Sequence, residues 1–317
     1  MSAALRIIAA LVIIAALAAL PLMVSAYTVS LFISIYAYTG LATAWAFFSG
    51  TTRYISLATA AFVGLGTYTV ALLADHLPLF AVLAIAPVVG FLVALLVGLS
   101  TLRLTGVYFV IFTFGLAELI KQVVIWYEIN RSKTLARYIF VDADGTLIYE
   151  LLLGIAAAAI GGVWWLARAR LGYALRVIGE DETVARHSGI DTVKIKVLVF
   201  AGTSAVTSLI GAVMALRYTY VDPNIGFNSL ISFQVLIMAL LGGIGRPWGP
   251  ALGAVPLVLL FEVLSGTFPH HFNIALGVCF VVIVYFLPGG IIGLIDRAWA
   301  RLRRSPVKRA GAKGQIA

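Results

Sequence analysis

Long apolar segments separated by short polar connectors run through most of the chain. A membrane-spanning helix needs about 20 mostly apolar residues, and an isolated strand cannot satisfy its backbone polar groups in lipid. The pattern therefore predicts an all-α polytopic membrane protein with about ten transmembrane or half-membrane helices. The predicted segments are 4–24, 27–48, 54–74, 78–99, 105–127, 147–167, 195–217, 229–242, 248–265 and 272–295.

Two of these segments allow a second interpretation. The apolar part of 229–242 gives only about 20 Å of helix, whereas the hydrocarbon core of a bilayer is about 30 Å thick. This segment is either extended by its flanks or a half-helix. The first segment, with Arg6 and the small residues Val24 to Ala26, resembles a cleavable signal peptide. Its length favours a retained first helix.

The composition supports a membrane protein rather than a soluble one. Hydrophobic residues make up 62% of the 317-residue chain and charged residues only 11%. The net charge of +9 comes from Lys and Arg residues placed beside the apolar segments. It therefore indicates cytoplasmic loops and not a nucleic-acid-binding surface. Most of the Lys and Arg residues fall on one side if both termini are cytoplasmic, which predicts an N-in, C-in topology.

Two hydrophilic regions interrupt the apolar pattern. The first, at 168–196, holds six Lys or Arg residues, four acidic residues and one His within the predicted transmembrane domain at 1–296. It is too polar to span a bilayer and longer than the other connectors. It is therefore predicted to present a surface to a soluble partner in the cytoplasm. The second is the basic tail at 297–317, which is expected to contact anionic lipid headgroups.

The loop at 168–196 is predicted to contain two short helices separated at Gly179. Acidic residues favour a helix N-terminus, and they follow directly at Glu180, Asp181 and Glu182. Gly189 suits the end of the second helix, because glycine adopts the left-handed conformation of a C-cap without strain. A small, mildly apolar face is predicted to consist of Val184, Ala185 and Ser188.

Glycines and single polar residues in the apolar segments have two interpretations. Small residues allow close helix packing, and single polar side chains form hydrogen bonds between helices. Alternatively, they mark a broken helix that lines a transport route, most clearly at LGGIGRPWGP (241–250), where two prolines lack backbone donors. The candidate route residues are Gly64, Gly66, Tyr68, Ser232, Gln234, Gly242 and Gly243.

Glu118 and Lys121 lie near the middle of the predicted segment 105–127. A charge at the centre of a spanning helix costs about 2.5–3.5 kcal/mol, so both side chains are expected to face protein or water. Their i, i+3 spacing predicts a mutual ion pair. The alternative is a proton or ion relay.

The chain lacks the motifs of an enzyme. It has no GxxxxGK[ST] sequence, so it has no phosphate-binding loop of the usual kind. Its one cysteine, Cys279, lies in an apolar segment, and no Cys/His cluster has metal-ligand spacing. The sequence predicts a non-enzymatic chain that binds no metal or nucleotide cofactor itself.

Several separated motifs are similar to those of one family. The charged loop and the sequence that follows it to residue 257 resemble the LivM-type permeases of branched-chain amino acid ABC transporters. The resemblance covers roughly residues 40–295. Further matching stretches are SLATAAFVGLGTYTVALL (56–73), LRLTGVYFVIFTFGLAEL (102–119) and YFLPGGIIGLI (285–295). Stretches that depart from the family pattern are GTTRYISL (50–57) and NRSKTLARYIF (130–140).

The resemblance implies a type II ABC importer permease in the bacterial inner membrane. Such permeases work with ABC ATPase subunits that use ATP and Mg²⁺, a second related permease and a periplasmic solute-binding protein. A cytoplasmic coupling helix docks into a cleft on the ATPase. The resemblance places the coupling residues at Gly172, Arg176, Glu180, Asp181, Glu182, Ala185 and Gly189.

The function implied is ATP-driven import of branched-chain or related neutral amino acids by alternating access. One alternative is an ABC permease for urea or short amides, which share this general pattern. A second is an ion-coupled secondary transporter, with Glu118 as its candidate carboxylate, and a third is a scaffold without solute flux. The sequence fixes neither the solute nor whether the permease pairs with itself or with a relative.

Overall fold

The computed structural model describes residues 12–102, 104, 106–141, 143–286 and 290–294. The predicted basic tail and the beginning of the first apolar segment lie outside these residues. The helices, in chain order, are α1 (Val12–Leu22), α2 (Ala26–Trp45), α3 (Thr59–Leu73), α4 (Leu79–Thr101), α5 (Val107–Tyr127), α6 (Gly145–Leu166), α7 (Arg170–Glu180), α8 (Glu182–His187), α9 (Thr192–Ala215), α10 (Pro223–Gly226), α11 (Leu230–Gly242), α12 (Gly249–Thr267) and α13 (Phe272–Phe286).

Short irregular elements adjoin these helices. Helix α2 continues as a π-helix through Ala46–Gly50, and α5 continues in the same way through Glu128–Ser132. A 3-10 turn at Pro269–His271 precedes α13. Two strands of two residues each, β1 (Arg137–Tyr138) and β2 (Tyr220–Val221), pair antiparallel and join two connections between helices.

The structure confirms a polytopic helical membrane protein. Among the described residues, seven helical stretches are long and apolar enough to cross a membrane, and three apolar helices are shorter. Each of the ten predicted segments overlaps one of these helices. The seven are Ala26–Gly50, Leu79–Thr101, Val107–Arg131, Gly145–Leu166, Thr192–Ala215, Pro223–Gly242 and Gly249–Thr267. The three are Val12–Leu22, Thr59–Leu73 and Pro269–Ile283.

Helix α2 lies at the centre of the bundle and α5 at its edge. In the apolar part of α2 78% of the residues are buried, against 17% in α5. The buried side of α2 consists largely of small residues such as Ala37, Ala42 and Ala44, which let neighbouring helices approach closely. The core therefore forms around α2.

Helices α3 and α9 meet through their backbones. A methyl group on Gly66 would lie 1.8 Å from the Ser208 carbonyl oxygen, and one on Gly211 would lie 2.2 Å from that of Val63. No side chain larger than hydrogen fits at either glycine. At Gly66, therefore, the structure supports the packing interpretation.

The connections gather at the two ends of the bundle. At one end the charged loop contacts Thr51, Tyr54 and Leu102, which follow α2 and α4. At the other end β1, before α6, pairs with β2, after α9. This grouping agrees with the predicted alternation of the helices. The assignment of the first end to the cytoplasm stays a prediction from the Lys and Arg distribution.

The glycine-rich stretch at 241–250 is a turn between two packed helices, which supports the packing interpretation of its glycines. Helix α11 ends at Gly242, and α12 begins at Gly249 with Pro250 in its first turn. A methyl group on Gly242 would lie 2.0 Å from the Gly249 carbonyl oxygen. The glycines are needed because α11 and α12 touch backbone to backbone, and Gly243 turns the chain with φ +99°.

The broken element lies instead before α3. The segment predicted from residue 54 becomes helical only at Thr59, and residues 53–57 are extended or irregular. Arg53 reverses the chain in the left-handed region, with φ +60°. The chain therefore leaves α2, turns back beside it and enters the bundle before α3 begins.

Candidate coupling site

The charged loop folds into two helices, as predicted, but they separate at Asp181 and not at Gly179. Helix α7 buries Gly172, Leu175 and Ile178 on one side. Gly179 lies within α7, where a methyl group would lie 2.1 Å from the Thr51 carbonyl oxygen. This glycine permits close contact between the loop and the end of α2, which is why it does not interrupt the helix.

The second loop helix, α8, has the end signals that the sequence predicted. The Asp181 carboxylate accepts hydrogen bonds from the backbone N–H groups of Thr183 at 2.7 Å and Val184 at 3.2 Å. These bonds lower the pKa of Asp181, because they stabilise the ionised carboxylate. Gly189 follows the helix with φ +78°, a conformation suited to glycine.

The residues of α8 divide into an exposed and a buried side. Val184 is 53% exposed, and Ser188 is exposed as well, whereas Ala185 is fully buried. The predicted small face of these three residues is therefore wrong, because Ala185 packs against the bundle. Predicted coupling residues that the structure leaves exposed are Arg176, Glu180, Asp181 and Gly189, and those it turns inward are Gly172, Glu182 and Ala185.

A buried ion pair between Glu182 of α8 and Lys196 of α9 holds the loop on the bundle. Lys196 Nζ donates to the two Glu182 carboxylate oxygens at 2.9 and 3.0 Å, and the lysine side chain is 1% exposed. The Tyr54 hydroxyl donates to Glu182 Oε2 at 2.7 Å and accepts from Lys196 Nζ at 3.1 Å. We refer to Tyr54, Glu182 and Lys196 as the polar hub.

Neighbouring groups complete the bonding of the polar hub. Arg186 and Thr192 donate to Glu182 Oε1 at 2.7 and 3.1 Å. Lys196 Nζ also donates to the Leu102 carbonyl oxygen at 3.3 Å. The hub therefore joins α8, the first turns of α9, the end of α4 and the turn that precedes α3.

The electrostatics of the polar hub keep Glu182 ionised. Burial by itself would raise the pKa of Glu182, but hydrogen bonds from Tyr54, Lys196 and Arg186 outweigh it and lower the pKa to about 2. Burial raises the pKa of Tyr54, so this hydroxyl stays protonated and able to donate. A buried ion pair needs such additional bonds to offset the loss of hydration.

Two members of the polar hub, Tyr54 and Lys196, were not predicted from the sequence. Lys196 lay inside the predicted apolar segment 195–217, and a charge inside such a segment requires a polar partner. That signal was available and would have pointed to an acid in the adjoining loop. Tyr54 gave no comparable signal, because tyrosine is common at the ends of membrane helices.

The irregular segment before α3 has its backbone groups bonded by side chains from two neighbouring helices. Trp45 Nε1 donates to the Ser56 carbonyl oxygen at 2.7 Å, and Ser49 Oγ accepts from the Ser56 N–H at 3.3 Å. Thr113 of α5 accepts from the Leu57 N–H at 3.1 Å. Non-helical backbone inside a membrane protein is tolerated where such partners exist.

Ser232 of α11, a predicted route residue, bonds to the start of α3. Its hydroxyl accepts from the Ala60 N–H at 2.9 Å and donates to the Leu57 carbonyl oxygen at 2.8 Å. Ser232 is buried, and its hydroxyl accepts a backbone N–H group that has no partner within the first turn of the helix. Ser232 therefore links the broken element to α11.

The other predicted route residues are packed in the bundle. Gln234 accepts a hydrogen bond from Tyr38 of α2, so it is an interhelix contact. A methyl group on Gly64 would meet the Phe227 ring at 2.2 Å. Tyr68 is buried beside the same ring, with 5.5 Å between ring centroids, and its hydroxyl has no hydrogen-bond partner among the described residues.

Glu118 and Lys121 are paired as their spacing predicted. Lys121 Nζ lies 3.4 Å from Glu118 Oε2. The Ser229 hydroxyl donates to the other Glu118 oxygen at 2.6 Å. The carboxylate is thus bonded on both oxygens, although its side chain is 37% exposed at the edge of the bundle.

The fold and the loop define a multi-pass membrane protein with a structured polar surface at one end. A family model described as "Branched-chain amino acid transport system / permease component" matches residues 25–287. The chain therefore belongs to this family of transport permeases. Among the described residues, no group of three or more His, Cys, Asp or Glu side chains is arranged to hold a metal ion.

Individual relatives agree with the family assignment. The chain is similar to the high-affinity branched-chain amino acid transport system permease protein LivM of Salmonella typhimurium, with 26% identity over 73% of this chain and 62% of the relative. For LivM of Escherichia coli K12 the identity is 26% over 81% of this chain and 66% of the relative.

The permease protein LivH of Escherichia coli K12 is 28% identical over 39% of this chain and 40% of the relative. The chain thus spans less than two thirds of the length of the LivM relatives that it matches. No solved structure matches it at a significant level.

Proposed function

We propose that this chain is the membrane-spanning permease subunit of an ATP-driven ABC importer for branched-chain or related neutral amino acids. Its family and its similarity to LivM and LivH support this proposal. It would pair with a second, related permease and receive solute from a periplasmic binding protein. ATP and Mg²⁺ would be used by separate ATPase subunits, and the complex would reside in the bacterial inner membrane.

The observation that carries the proposal is the shape of the charged loop. Its outer side exposes charged residues such as Arg176 and Glu180, and its inner side is buried on the bundle. A surface of this kind can contact a soluble ATPase outside and pass a displacement to the membrane helices inside. We propose that this displacement opens the bundle alternately to the two sides of the membrane.

The bonding of Glu118 favours this function over an ion-coupled transporter. An ion relay needs a carboxylate that exchanges its proton or cation during the cycle. Glu118 is held by Lys121 and Ser229, which stabilise one ionised state. We therefore propose a structural role for this carboxylate.

The proposal is tested by reconstitution. The chain is co-purified with its ATPase subunits and second permease, placed in proteoliposomes and supplied with the binding protein. ATP hydrolysis and uptake are then measured for leucine, isoleucine, valine, other neutral amino acids, urea and short amides. We expect a neutral amino acid to stimulate both ATP hydrolysis and uptake.

Other outcomes would point to the alternative functions. Stimulation by urea or an amide alone would favour the amide permease. Uptake driven by an ion gradient without the ATPase would contradict the proposal and favour a secondary transporter. Assembly without uptake of any solute would favour a scaffold.

A further inference from the structure

The polar hub connects two parts of the molecule that are far apart in sequence. Tyr54 lies in the broken element at 53–57, Glu182 belongs to the charged loop and Lys196 lies near the start of α9. We infer that Tyr54 and Lys196 are positioning residues that fix the charged loop to the broken start of α3 and carry the loop's displacement to it. This inference rests on the proposed function.

The first step of the transmission joins the loop to α9. Glu182 and Lys196 are bonded through both carboxylate oxygens, and Lys196 is enclosed by the bundle. Separating the two would leave a buried charge without its partner, which is strongly unfavourable. Helix α8 and the first turns of α9 are therefore expected to move together.

The second step joins the loop to the turn after α2. The Tyr54 hydroxyl bonds to Glu182 at 2.7 Å, and Gly179 of α7 lies directly against the backbone of Thr51. The loop thus contacts this turn at two places, through the hydrogen bond between Tyr54 and Glu182 and through the backbone contact between Gly179 and Thr51. A shift of the loop relative to the bundle displaces Tyr54 with it.

The third step leads from the turn to the interior. Only a few residues separate Tyr54 from the start of α3, and Ser56 and Leu57 are hydrogen-bonded through their backbones to α2 and α5. Because this stretch is short and pinned by these hydrogen bonds, it has little slack to absorb a displacement. The displacement reaches Leu57 and Ala60, which Ser232 links to α11.

A cavity of about 370 Å³ lies between α2, α6 and α9, next to Phe47, Gly162 and Gly202. Side chains across such a gap lose the packing contacts that would fix the helices to each other. The cavity therefore reduces the packing of α6 against α2 and α9.

The test separates ATP hydrolysis from transport. In the reconstituted complex, Tyr54→Phe removes one hydroxyl and keeps the ring. The double variant Glu182→Leu with Lys196→Met replaces the ion pair with apolar side chains, a change that buried pairs often tolerate. The control is Lys194→Met, which removes an exposed ion pair with Asp191 on the same helix.

We expect the amount of solute transported per ATP hydrolysed to fall about fivefold or more in the double variant. A smaller fall in the same direction is expected for Tyr54→Phe, and none for Lys194→Met. If a hub variant assembles into the complex and the amount of solute transported per ATP hydrolysed is unchanged, the inference is overturned. Tyr54→Phe decides the question if the double variant fails to assemble.

A labelling experiment gives a second readout that lost stability alone would not produce. Ile55 is 44% exposed, and in a Cys279→Ser background Ile55→Cys supplies the only thiol of the chain. We expect the rate at which a thiol-reactive reagent labels this thiol to differ between the nucleotide-free and the ATP-trapped complex. This difference in labelling rate is expected to vanish with Tyr54→Phe. Persistence of the difference in Tyr54→Phe would contradict the inference.

The two proposals fail separately. If the complex with the unaltered chain shows no ATP-dependent uptake, the proposed function fails. If that complex transports solute and the hub variants keep its ratio of solute to ATP, only the inference about Tyr54 and Lys196 fails.

Discussion

The Ser232 hydroxyl accepts the backbone N–H of Ala60 at 2.9 Å, so a side chain of α11 caps the first turn of α3 inside the bundle. The same hydroxyl donates to the Leu57 carbonyl oxygen. One serine therefore satisfies a backbone donor and a backbone acceptor at a buried helix end. The relationship gives a direct prediction for stability.

Ser232→Ala is expected to destabilise the protein by about 1–3 kcal/mol, because it leaves a buried donor and a buried acceptor unsatisfied. The measurement is thermal unfolding of the purified chain in detergent. Ser265→Ala is the matched control, since Ser265 is exposed and bonds only within its own helix. Equal unfolding temperatures for the two variants would contradict the assigned role of Ser232.

Gly66→Ala is expected to destabilise the contact between α3 and α9. The added methyl group would lie 1.8 Å from the Ser208 carbonyl oxygen, which is backbone and cannot rotate away. We expect a loss of about 1–3 kcal/mol or more, also measured by thermal unfolding. Gly115→Ala on α5 adds the same methyl group where no atom lies within 4 Å, and it should leave stability unchanged or higher.

Glu180→Lys combined with Asp181→Lys is expected to abolish stimulation of the ATPase while the chain still inserts and folds. Both residues are exposed on the outer side of the loop, where the ATPase is proposed to dock. Asp181 also caps α8, so Asp181→Ser is the control, because serine caps a helix equally well. Solute-stimulated ATP hydrolysis in proteoliposomes is the measurement, and undiminished stimulation in the lysine variant would contradict docking at this surface.

The polar hub is expected to weaken in acid, when Glu182 takes up a proton. The pKa of Glu182 is lowered from 4.5 to about 2, so its ionised form is favoured in the folded state. Its stabilising contribution is complete above pH 4.5 and is lost as the pH falls through about 2. The difference in unfolding temperature between the unaltered chain and Glu182→Gln should be constant near neutral pH and shrink in that acidic interval. A difference that changes between pH 6 and pH 8 (about the range of histidine titration) would show that another group controls it.

Glu118→Gln is expected to preserve ATP-driven uptake. Glutamine can still accept the hydrogen bond from Ser229 and loses only the ion pair with Lys121. Uptake and ATP hydrolysis are measured together in proteoliposomes. Uptake lost with assembly and ATPase stimulation intact would favour the ion-coupled alternative.

The apolar segments were sufficient to locate the ten long or apolar helices in the described part of the chain, because each such segment must be buried or face lipid. The two helices of the charged loop were also predictable, because the signals that mark the ends of α8, Asp181 and Gly189, are local in sequence. Glu118 and Lys121 were predictable for the same reason, being three residues apart on one helix.

Contacts between distant residues were not predictable in this way. Gly179 looked like a helix break, because its close contact with Thr51 depends on how the loop folds back. The glycines at 242 and 243 fitted both packing and a broken helix, because packing of α11 against α12 and interruption of a helix use the same residues. The true break at 53–57 carries no proline, and its bonding partners come from α2, α5 and α11.

The contact of Gly66 and Gly211 across α3 and α9 leaves main-chain atoms as the touching surfaces. Backbone atoms have no alternative rotamers, so neither helix can accommodate a movement of the other by rearranging side chains at this contact. The two helices can only slide along each other or separate as a whole, and a conformational change that alters this contact has to use one of these two motions.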